Sequence, residues 1–336
     1  AYIRDEIGYN TAGAWSTTDL LFGAKQPFPS PVILNFVVTY ADNLGTSVQQ
    51  SGHKGFINNT MPVFDPGFVT HCDKYAEQLA KYADNPYMLG YFSDNELPCD
   101  EKMLDNYLNL DTSDVLNLYS YNAAWTWFKS RHGENCTIAD ISGSDRDDFR
   151  EFVYDRYFDV VSSAIKKYDP NHMYFGSRFW NNAKTSQGMW RAAGRYCDAV
   201  SLNYYSAWSP SQSAMSDWEK WSGKPLLVTE WYTKAMDSGL ANHAGAGWIV
   251  PTQKDRGYFY QNFAMGLLES GTCVGWHWFK YHDNDPTAPA SDPSNVDGNK
   301  GIINPDYKEY TDLTKLMKEF NANVYGLIEY FDAKKK

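Results

Sequence analysis

The sequence predicts an α/β protein of the (β/α)8, or TIM-barrel, class, and three observations lead to that prediction. Short apolar segments alternate with longer helical ones, and such continuous apolar strands are typical of a parallel sheet covered by helices. The length of 336 residues suits one large barrel, so residues 1–336 are predicted to form a single domain. No glycine-rich nucleotide-binding motif follows a strand, which disfavours the competing open, doubly wound sheet.

Seven segments are predicted to be strands, because each is short, apolar and mostly bounded by Pro, Gly, Asn or Asp. They span 9–16, 31–40, 87–93, 172–180, 198–206, 225–232 and 273–281. No strand is predicted before residue 9, so the chain is expected to lack the first strand of the barrel. The segment 323–331 is the internal candidate to fill that gap, and a tail packed on the outside is its alternative.

Helical spacing of apolar residues predicts the segments between the strands. Asp65 and Pro66 have the pattern of an N-cap and a first-turn proline, and apolar residues then recur every three or four positions as far as Tyr82. A second such stripe begins after Asp145 and ends before Asp169. The same spacing predicts helices over 253–270 and 306–320.

Composition argues against several classes of function. The formal net charge of −11 would repel nucleic-acid phosphates, and no apolar run reaches the roughly 18 residues of a membrane span. The five cysteines show neither a CxxC motif nor a Cys/His spacing suited to zinc, so no zinc site is predicted. The acidic loop 282–301 lacks EF-hand spacing, so a solvated loop is favoured over its alternative, a bound calcium ion. Aromatic residues make up 16% of the chain, a surplus that favours a ligand able to stack on rings, such as a sugar.

Two glutamates follow predicted strands at the end where a barrel places its active site. The strand at 87–93 runs into Asn95 and Glu96, and the strand at 225–232 carries Glu230 near its end. Glycoside hydrolysis needs such a pair, one carboxyl group as proton donor and the other as nucleophile or base. A single strand-end glutamate is as well explained by solvation or a salt bridge, so the hypothesis depends on the pair.

Seven segments in colinear order resemble glycoside hydrolase family 50, the β-agarases of clan A. They are GYNTAGAWS, VFDPGF, MLGYFSDNELP, GSRFW, VSLNYYS, TEWY and VGWHWFKYHDND, spread from residue 8 to 285. The resemblance implies a retaining (β/α)8 enzyme with Glu96 as acid/base after strand four and Glu230 as nucleophile after strand seven. The chain departs from the family pattern at Trp231, Tyr232 and Lys280, which bears on the identity of the polysaccharide.

The resemblance also implies substrate-binding residues on three strands. Asn95 is expected to bond the sugar 2-hydroxyl, with a turn residue as the alternative. Asn203 and Tyr205 project to the same side of one strand, and Tyr205 resembles the clan's tyrosine that donates to the nucleophile, with core packing as the alternative. Arg178 ends the preceding strand and is expected to donate to a carboxylate or a sugar hydroxyl, or to form a plain salt bridge.

The last strand and one loop supply the remaining candidates. Trp278, with Trp276 on the same side of the strand, resembles the clan's tryptophan platform under the sugar that is cleaved, and one of the two is expected to belong to the core. His277 would point to the opposite side of an ideal strand, but distortion at the strand end would return it to the site, so it is kept as a candidate for substrate binding. His53, in the long loop after the predicted third strand, is a further candidate for substrate binding.

These residues predict a retaining β-glycoside hydrolase that cleaves a galactan such as agarose and uses no cofactor. One alternative is a clan A hydrolase of another specificity, for porphyran, a β-galactoside or a β-glucan. Another is a carbohydrate-binding barrel that has lost catalysis. The expected partner is therefore a polysaccharide or oligosaccharide. Residues 1–10 do not resemble a signal peptide, so a secreted or periplasmic location is inferred from the expected substrate alone.

Overall fold

The computed structural model describes residues 2–50, 53–288, 291–292 and 294–334. The chain divides into two compact units. The unit with residues Pro31–Ser201 and Lys220–Lys224 is called the Glu96 unit. The unit with residues Ala1–Ser30, Leu202–Glu219 and Pro225–Lys336 is called the Glu230 unit.

Short strands and longer helices alternate along the described residues. The strands are β1 (Ser30–Ile33), β2 (Ser47–Gln49), β3 (Lys54–Phe56), β4 (Met88–Phe92), β5 (Met173–Tyr174), β6 (Val200–Asn203), β7 (Leu226–Glu230), β8 (Lys234–Ala235), β9 (Ile249–Val250) and β10 (Cys273–Trp276). The helices are α1 (Thr18–Phe22), α2 (Phe36–Leu44), α3 (Pro66–Ala76), α4 (Met103–Leu108), α5 (Leu118–His132), α6 (Gly143–Tyr168), α7 (Gln187–Tyr196), α8 (Gln212–Ser222), α9 (Gln253–Ser270) and α10 (Thr311–Lys334). These elements make a mixed α/β fold with small, mostly parallel sheets.

In the Glu96 unit the sheet has the order β1-β4-β5, and β4 pairs with β5 in parallel. Helix α3 begins where the sequence predicts, because the Asp65 side chain accepts from the Gly67 amide at 2.8 Å and Pro66 occupies the first turn. Helix α6 begins with a capping box between Ser142 and Asp145. Its buried face packs against α3 and α7.

In the Glu230 unit β10 pairs with β7 in parallel, and the unit also contains Leu202 and Asn203, the last two residues of β6. Helix α9 confirms the predicted span, beginning with a capping box between Thr252 and Asp255 and ending at Gly271, whose φ of 63° is left-handed. Helix α9 packs along α10. Strand β7 is buried at every position, and Glu230 is its last residue.

Several strand predictions need correction. The segment 9–16 is not a strand, since Trp15 takes a left-handed φ of 66° that an extended backbone does not allow. The segment 31–40 is β1 followed by α2, and its apolar run is the buried face of that helix. Strand β5 has only two residues, because Gly176 at φ 76° and Arg178 at φ 54° end the extended conformation. The predicted end at 281 is also late, as β10 stops at Trp276.

The C-terminal region is helical over a longer stretch than predicted. Helix α10 spans Thr311–Lys334, so the segment 323–331 belongs to it and cannot act as a strand. The prediction for 306–320 is therefore right in type and wrong in extent. No helix among the described residues is long and apolar enough to cross a membrane. The five cysteines are free thiols, of which Cys72 and Cys197 are buried.

Candidate active site

In the Glu96 unit, the residues after β4 are held to the chain that follows β5. The Ser93 amide donates to the Gly176 carbonyl at 2.9 Å, and the Glu96 amide donates to the Ser177 carbonyl at 3.1 Å. Between these two bonds the backbone leaves the strand, and Glu96 adopts a left-handed φ of 51°. The backbone of Glu96 is thus held by its own amide and by the amide of Ser93, three residues earlier.

Arg178 is placed on Asn95. Its Nη1 atom donates to Asn95 Oδ1 at 2.7 Å, and its guanidinium lies 5.5 Å from the ring centroid of Phe92. Arg178 is only 1% exposed and Asn95 is 9% exposed. Because a guanidinium can only donate, it fixes the amide oxygen of Asn95 toward itself and directs the Asn95 NH2 group elsewhere. That leaves Asn95 oriented as a hydrogen-bond donor.

His53 lies beside Glu96. Its Nδ1 atom is 3.6 Å from Glu96 Oε2, and both side chains are mostly buried. The imidazole also packs edge-on against Trp180, with ring centroids 5.8 Å apart. The structure thus places His53, which directly precedes β3, next to the candidate acid.

A buried carboxyl group that the sequence analysis missed supports this loop. Asp94 is fully buried and accepts from the Tyr157 hydroxyl at 2.7 Å and from the amides of Val37 and Val38 at 3.3 Å. Burial raises the pKa of Asp94 to about 7, although these hydrogen bonds oppose the shift. Asp94 therefore joins the Glu96 loop to the first turn of α2, and no local pattern in the sequence marks it.

In the Glu230 unit, the end of β7 carries a carboxylate with a phenolic donor. The Tyr205 hydroxyl donates to Glu230 Oε2, and Glu230 is 6% exposed. The Glu230 carbonyl accepts from the Tyr204 amide at 2.8 Å, which fixes the strand end. Tyr232 packs edge-on against Tyr205 with ring centroids 5.4 Å apart. This arrangement can hold an ionised carboxylate in one orientation.

Asn203 is buried at the end of β6. The Thr229 hydroxyl donates to Asn203 Oδ1 at 2.8 Å, and the same hydroxyl lies 3.2 Å from the Leu202 carbonyl. This bond joins the last residue of β6 to the residue before Glu230. Asn203 thus braces the strand that carries the carboxylate, and its role in substrate binding stays a prediction.

In β10 and the residues after it, the two tryptophans contact α9, whereas the histidine between them contacts the segment 9–16. Trp276 and Trp278 both contact Tyr260 of α9, and Trp278 also packs 5.2 Å from Trp231 with the guanidinium of Arg256 over its ring at 5.5 Å. His277 is buried, and its Nε2 atom lies 3.4 Å from Thr11 Oγ1. The two tryptophans therefore face the helix, and the platform role of Trp278 stays a prediction.

Glycine at position 13 allows the approach of His277. A Cβ atom on Gly13 would lie 3.2 Å from the Cβ atom of His277, closer than most side chains pack. The segment 9–16, although not a strand, thus contacts the chain that follows β10. The sequence analysis missed this contact.

Lys300 is a second buried charge that the sequence analysis missed. It is fully buried, its Nζ atom has no hydrogen-bond partner among the described residues, and the nearest carboxylate oxygen, of Asp292, is 4.0 Å away. Burial lowers the pKa of Lys300 to about 7, the charge of Lys280 adds to that shift, and the carboxylates of Asp292, Glu230 and Asp283 oppose it. Lys300 thus contributes to the electrostatic surroundings of Glu230.

Asp283 holds the backbone around Lys300. Its carboxylate accepts from the amide of Lys300 at 2.7 Å and from the hydroxyl of Tyr310 at 2.8 Å. The Lys300 carbonyl in turn accepts from Trp278 Nε1 at 2.9 Å. Within the described ranges, no group of three His, Cys, Asp or Glu side chains is arranged to hold a metal ion.

Comparison with known proteins gives relatives in both sequence and structure. No protein-family model matches the chain. Beta-agarase B of Vibrio sp. (strain JT0107) is 27% identical over 303 residues, covering 79% of this chain and 30% of that protein. Beta-agarase A of the same strain is 26% identical over 362 residues, covering 95% of this chain and 35% of that protein. The chain thus spans about a third of the length of these curated relatives.

Solved structures extend the comparison. The structure of an exo-β-agarase superimposes on this chain with a TM-score of 0.77 and 22% sequence identity, covering 96% of this chain and 46% of the other. At that identity the likeness shows only a shared fold. The crystal structure of BpGH50 superimposes with a TM-score of 0.84 and 33% identity, covering 98% of this chain. Because the alignment also covers 71% of the BpGH50 chain, the present chain belongs to glycoside hydrolase family 50.

Proposed function

We propose that this chain is a β-agarase, which hydrolyses the β-galactosidic linkages of agarose. Membership of family 50 and the names of the two curated relatives support a glycoside hydrolase of this specificity. The observation that carries the proposal is that each unit presents a strand-end glutamate held by its own neighbours, Glu96 beside His53 and Glu230 under the Tyr205 hydroxyl.

The proposed mechanism is a double displacement. Glu230 attacks the anomeric carbon, the glycosidic C–O bond breaks, and Glu96 gives its proton to the departing oxygen. Glu96, now ionised, then takes a proton from water, which attacks the glycosyl-enzyme and releases Glu230. The Tyr205 hydroxyl orients the Glu230 carboxylate before the attack. Its hydrogen bond to the carboxylate weakens as the negative charge is lost to the new C–O bond.

Asn95 and Arg178 are proposed to act on the sugar ring. A hydrogen bond from the Asn95 NH2 group to the 2-hydroxyl would strengthen as positive charge develops at the anomeric carbon. Arg178 sets the orientation of that amide through the 2.7 Å bond to its oxygen. The substrate is a polysaccharide or oligosaccharide, the enzyme uses no cofactor, and the location that suits agarose is secreted or periplasmic.

We also propose the (β/α)8 barrel of clan A as the full architecture. Parallel pairing of β4 with β5 and of β10 with β7, together with the helices between strands, supports it. In that arrangement Glu96 and Glu230 follow the fourth and seventh strands.

Mass spectrometry and proton NMR of the products from agarose test the proposed activity. We expect agarose oligosaccharides, with the β-anomer of the new reducing end appearing first. Porphyran, a β-galactoside and a β-glucan in the same panel test the alternative specificities. If no glycan is cleaved but one is bound, the chain is a carbohydrate-binding protein and the proposal is wrong.

Variants at the two carboxylates test the mechanism. Glu230→Gln is expected to abolish turnover and keep substrate binding, because the isostere preserves shape and removes the nucleophile. Glu269→Gln, at an exposed position of α9, is the matched control. Azide added to Glu230→Ala is expected to give the α-glycosyl azide, and to Glu96→Ala the β-glycosyl azide. Full activity of Glu230→Gln would contradict the assignment.

A further inference from the structure

Two tryptophans of the Glu230 unit are exposed side by side. Trp208 is 38% exposed and Trp248 is 49% exposed. Their rings lie at 29° to each other with centroids 6.4 Å apart. Leaving two adjacent indoles in water forfeits hydrophobic stabilisation that burial would give, which makes the pair a candidate binding surface.

Hydrogen bonds hold the backbone at both tryptophans, and the Trp208 ring also packs on a buried aromatic residue. Asn262 Nδ2 donates to the Trp208 carbonyl and to the Ser209 hydroxyl, each at 2.8 Å, and the Trp208 ring packs 5.3 Å from that of Phe259. The Trp248 carbonyl accepts from the Lys234 amide at 2.8 Å, next to the β8–β9 pairing. The backbone of both residues and the ring of Trp208 are therefore held before any ligand arrives, which lowers the entropy cost of binding.

Short chain segments and one backbone hydrogen bond connect both tryptophans to the region of Glu230. Trp208 comes three residues after Tyr205, the donor to Glu230, so their Cα atoms are at most about 11 Å apart. The Trp248 carbonyl accepts a hydrogen bond from the amide of Lys234. Lys234 comes four residues after Glu230, so the Cα atoms of these two residues are at most about 14 Å apart. These spans are within the reach of a short oligosaccharide.

The exposed area favours a small ligand over a protein. An indole offers up to about 250 Å², so the exposed fractions of 38% and 49% leave roughly 200 Å² for the pair. A stable protein interface needs about 800 Å² on each partner. A pyranose ring presents an apolar C–H face of similar size to an indole and keeps its hydroxyl rim in water.

We propose that Trp208 and Trp248 form a stacking subsite for the galactan chain that extends from the sugar at Glu230. This inference rests on the proposed β-agarase function and adds a specificity determinant to it. The subsite binds uncharged sugar residues distant from the bond that is cleaved, so its contribution depends on the length of the substrate.

Binding and kinetics of length-graded agarose oligosaccharides test the subsite. In a Glu230→Gln background, Trp208→Ala and Trp248→Ala are each expected to weaken the binding of long oligosaccharides about 3- to 10-fold, measured by calorimetry. When the same two substitutions are made in the active enzyme, kcat/KM for long substrates relative to short ones should fall by a similar factor, because KM for the long substrates rises. Tyr330→Ala, which removes a 52% exposed aromatic residue from α10, is the matched control.

The outcomes separate this inference from the proposed function. A wild-type enzyme that cleaves agarose, with variants that lose no preference for long substrates, overturns the subsite and leaves the function intact. Wild-type protein without glycosidase activity refutes the function, and the Glu230→Gln binding series still decides the subsite. If a variant with both Trp208→Ala and Trp248→Ala keeps its oligosaccharide binding and differs from wild type only in sedimentation coefficient, the pair is a contact between copies of the chain. The inference is then wrong.

Discussion

Replacing Lys300 by methionine should stabilise the protein, and by an amount that depends on pH. Lys300 is fully buried, its Nζ atom lacks a hydrogen-bond partner among the described residues, and its pKa is lowered to about 7. Methionine has a similar unbranched shape and carries no charge to desolvate. The variant thus removes the cost of burying the ammonium group and keeps most of the packing.

The magnitude follows from the pKa in the two states. The unfolded chain keeps the lysine pKa near 10.4, so between pH 7 and pH 10 it binds a proton that the folded state does not. The free energy of unfolding contributed by Lys300 therefore rises with pH across that window. Relative to methionine, its cost is on the order of 4 kcal/mol at pH 7 and about 2 kcal/mol at pH 9.

Calorimetric melting temperatures at pH 6, 7, 8 and 9 measure this difference. For 336 residues, about 0.7 kcal/mol corresponds to 1 °C, so Lys300→Met should melt about 6 °C above wild type at pH 7 and about 3 °C above it at pH 9. Lys315→Met, at an exposed position of α10, should show no such pH dependence. A difference that stays constant from pH 7 to pH 9, or a wild type that melts higher at pH 7, would show that burying the Lys300 ammonium group has no such cost.

Three further substitutions test individual contacts. Tyr205→Phe removes the hydrogen bond to Glu230, worth about 1.5–3 kcal/mol to a charged acceptor, and should lower kcat/KM roughly 10- to 100-fold; unchanged kinetics would exclude the contact from catalysis. Arg178→Lys keeps the charge but loses the planar guanidinium that donates to Asn95, so kcat should fall about tenfold with little change in melting temperature. If Arg178 has only a structural role, the melting temperature should fall and kcat should stay unchanged. Trp278→Ala should destabilise the fold by about 3 kcal/mol, since the ring packs against α9, whereas a stable variant with hundredfold lower kcat/KM would identify a sugar platform.

The sequence alone determined the elements whose signals are local. The caps at Asp65 and Thr252 lie within a few residues of the groups they bond, so the starts of α3 and α9 could be read from the chain. Strand predictions failed where backbone conformation changed inside an apolar run, as at Arg178 and Trp15 with their positive φ angles. An apolar run also fits a strand and a buried helix equally well, which is why the sequence predicts a strand over the first turns of α2.

The two carboxylates could be selected as candidates from sequence because Glu230 ends a strand and Glu96 lies in the loop after one, whereas the groups around them depend on the fold. Asn95 and Arg178 are 83 residues apart in the chain and 2.7 Å apart in space. The lowered pKa of Lys300 arises from desolvation, which is set by all the surrounding chain rather than by its neighbours in sequence. Local interactions thus determined the helices and the strand-end positions of Glu96 and Glu230, and only tertiary packing decided which side chains orient them and which charges are buried beside them.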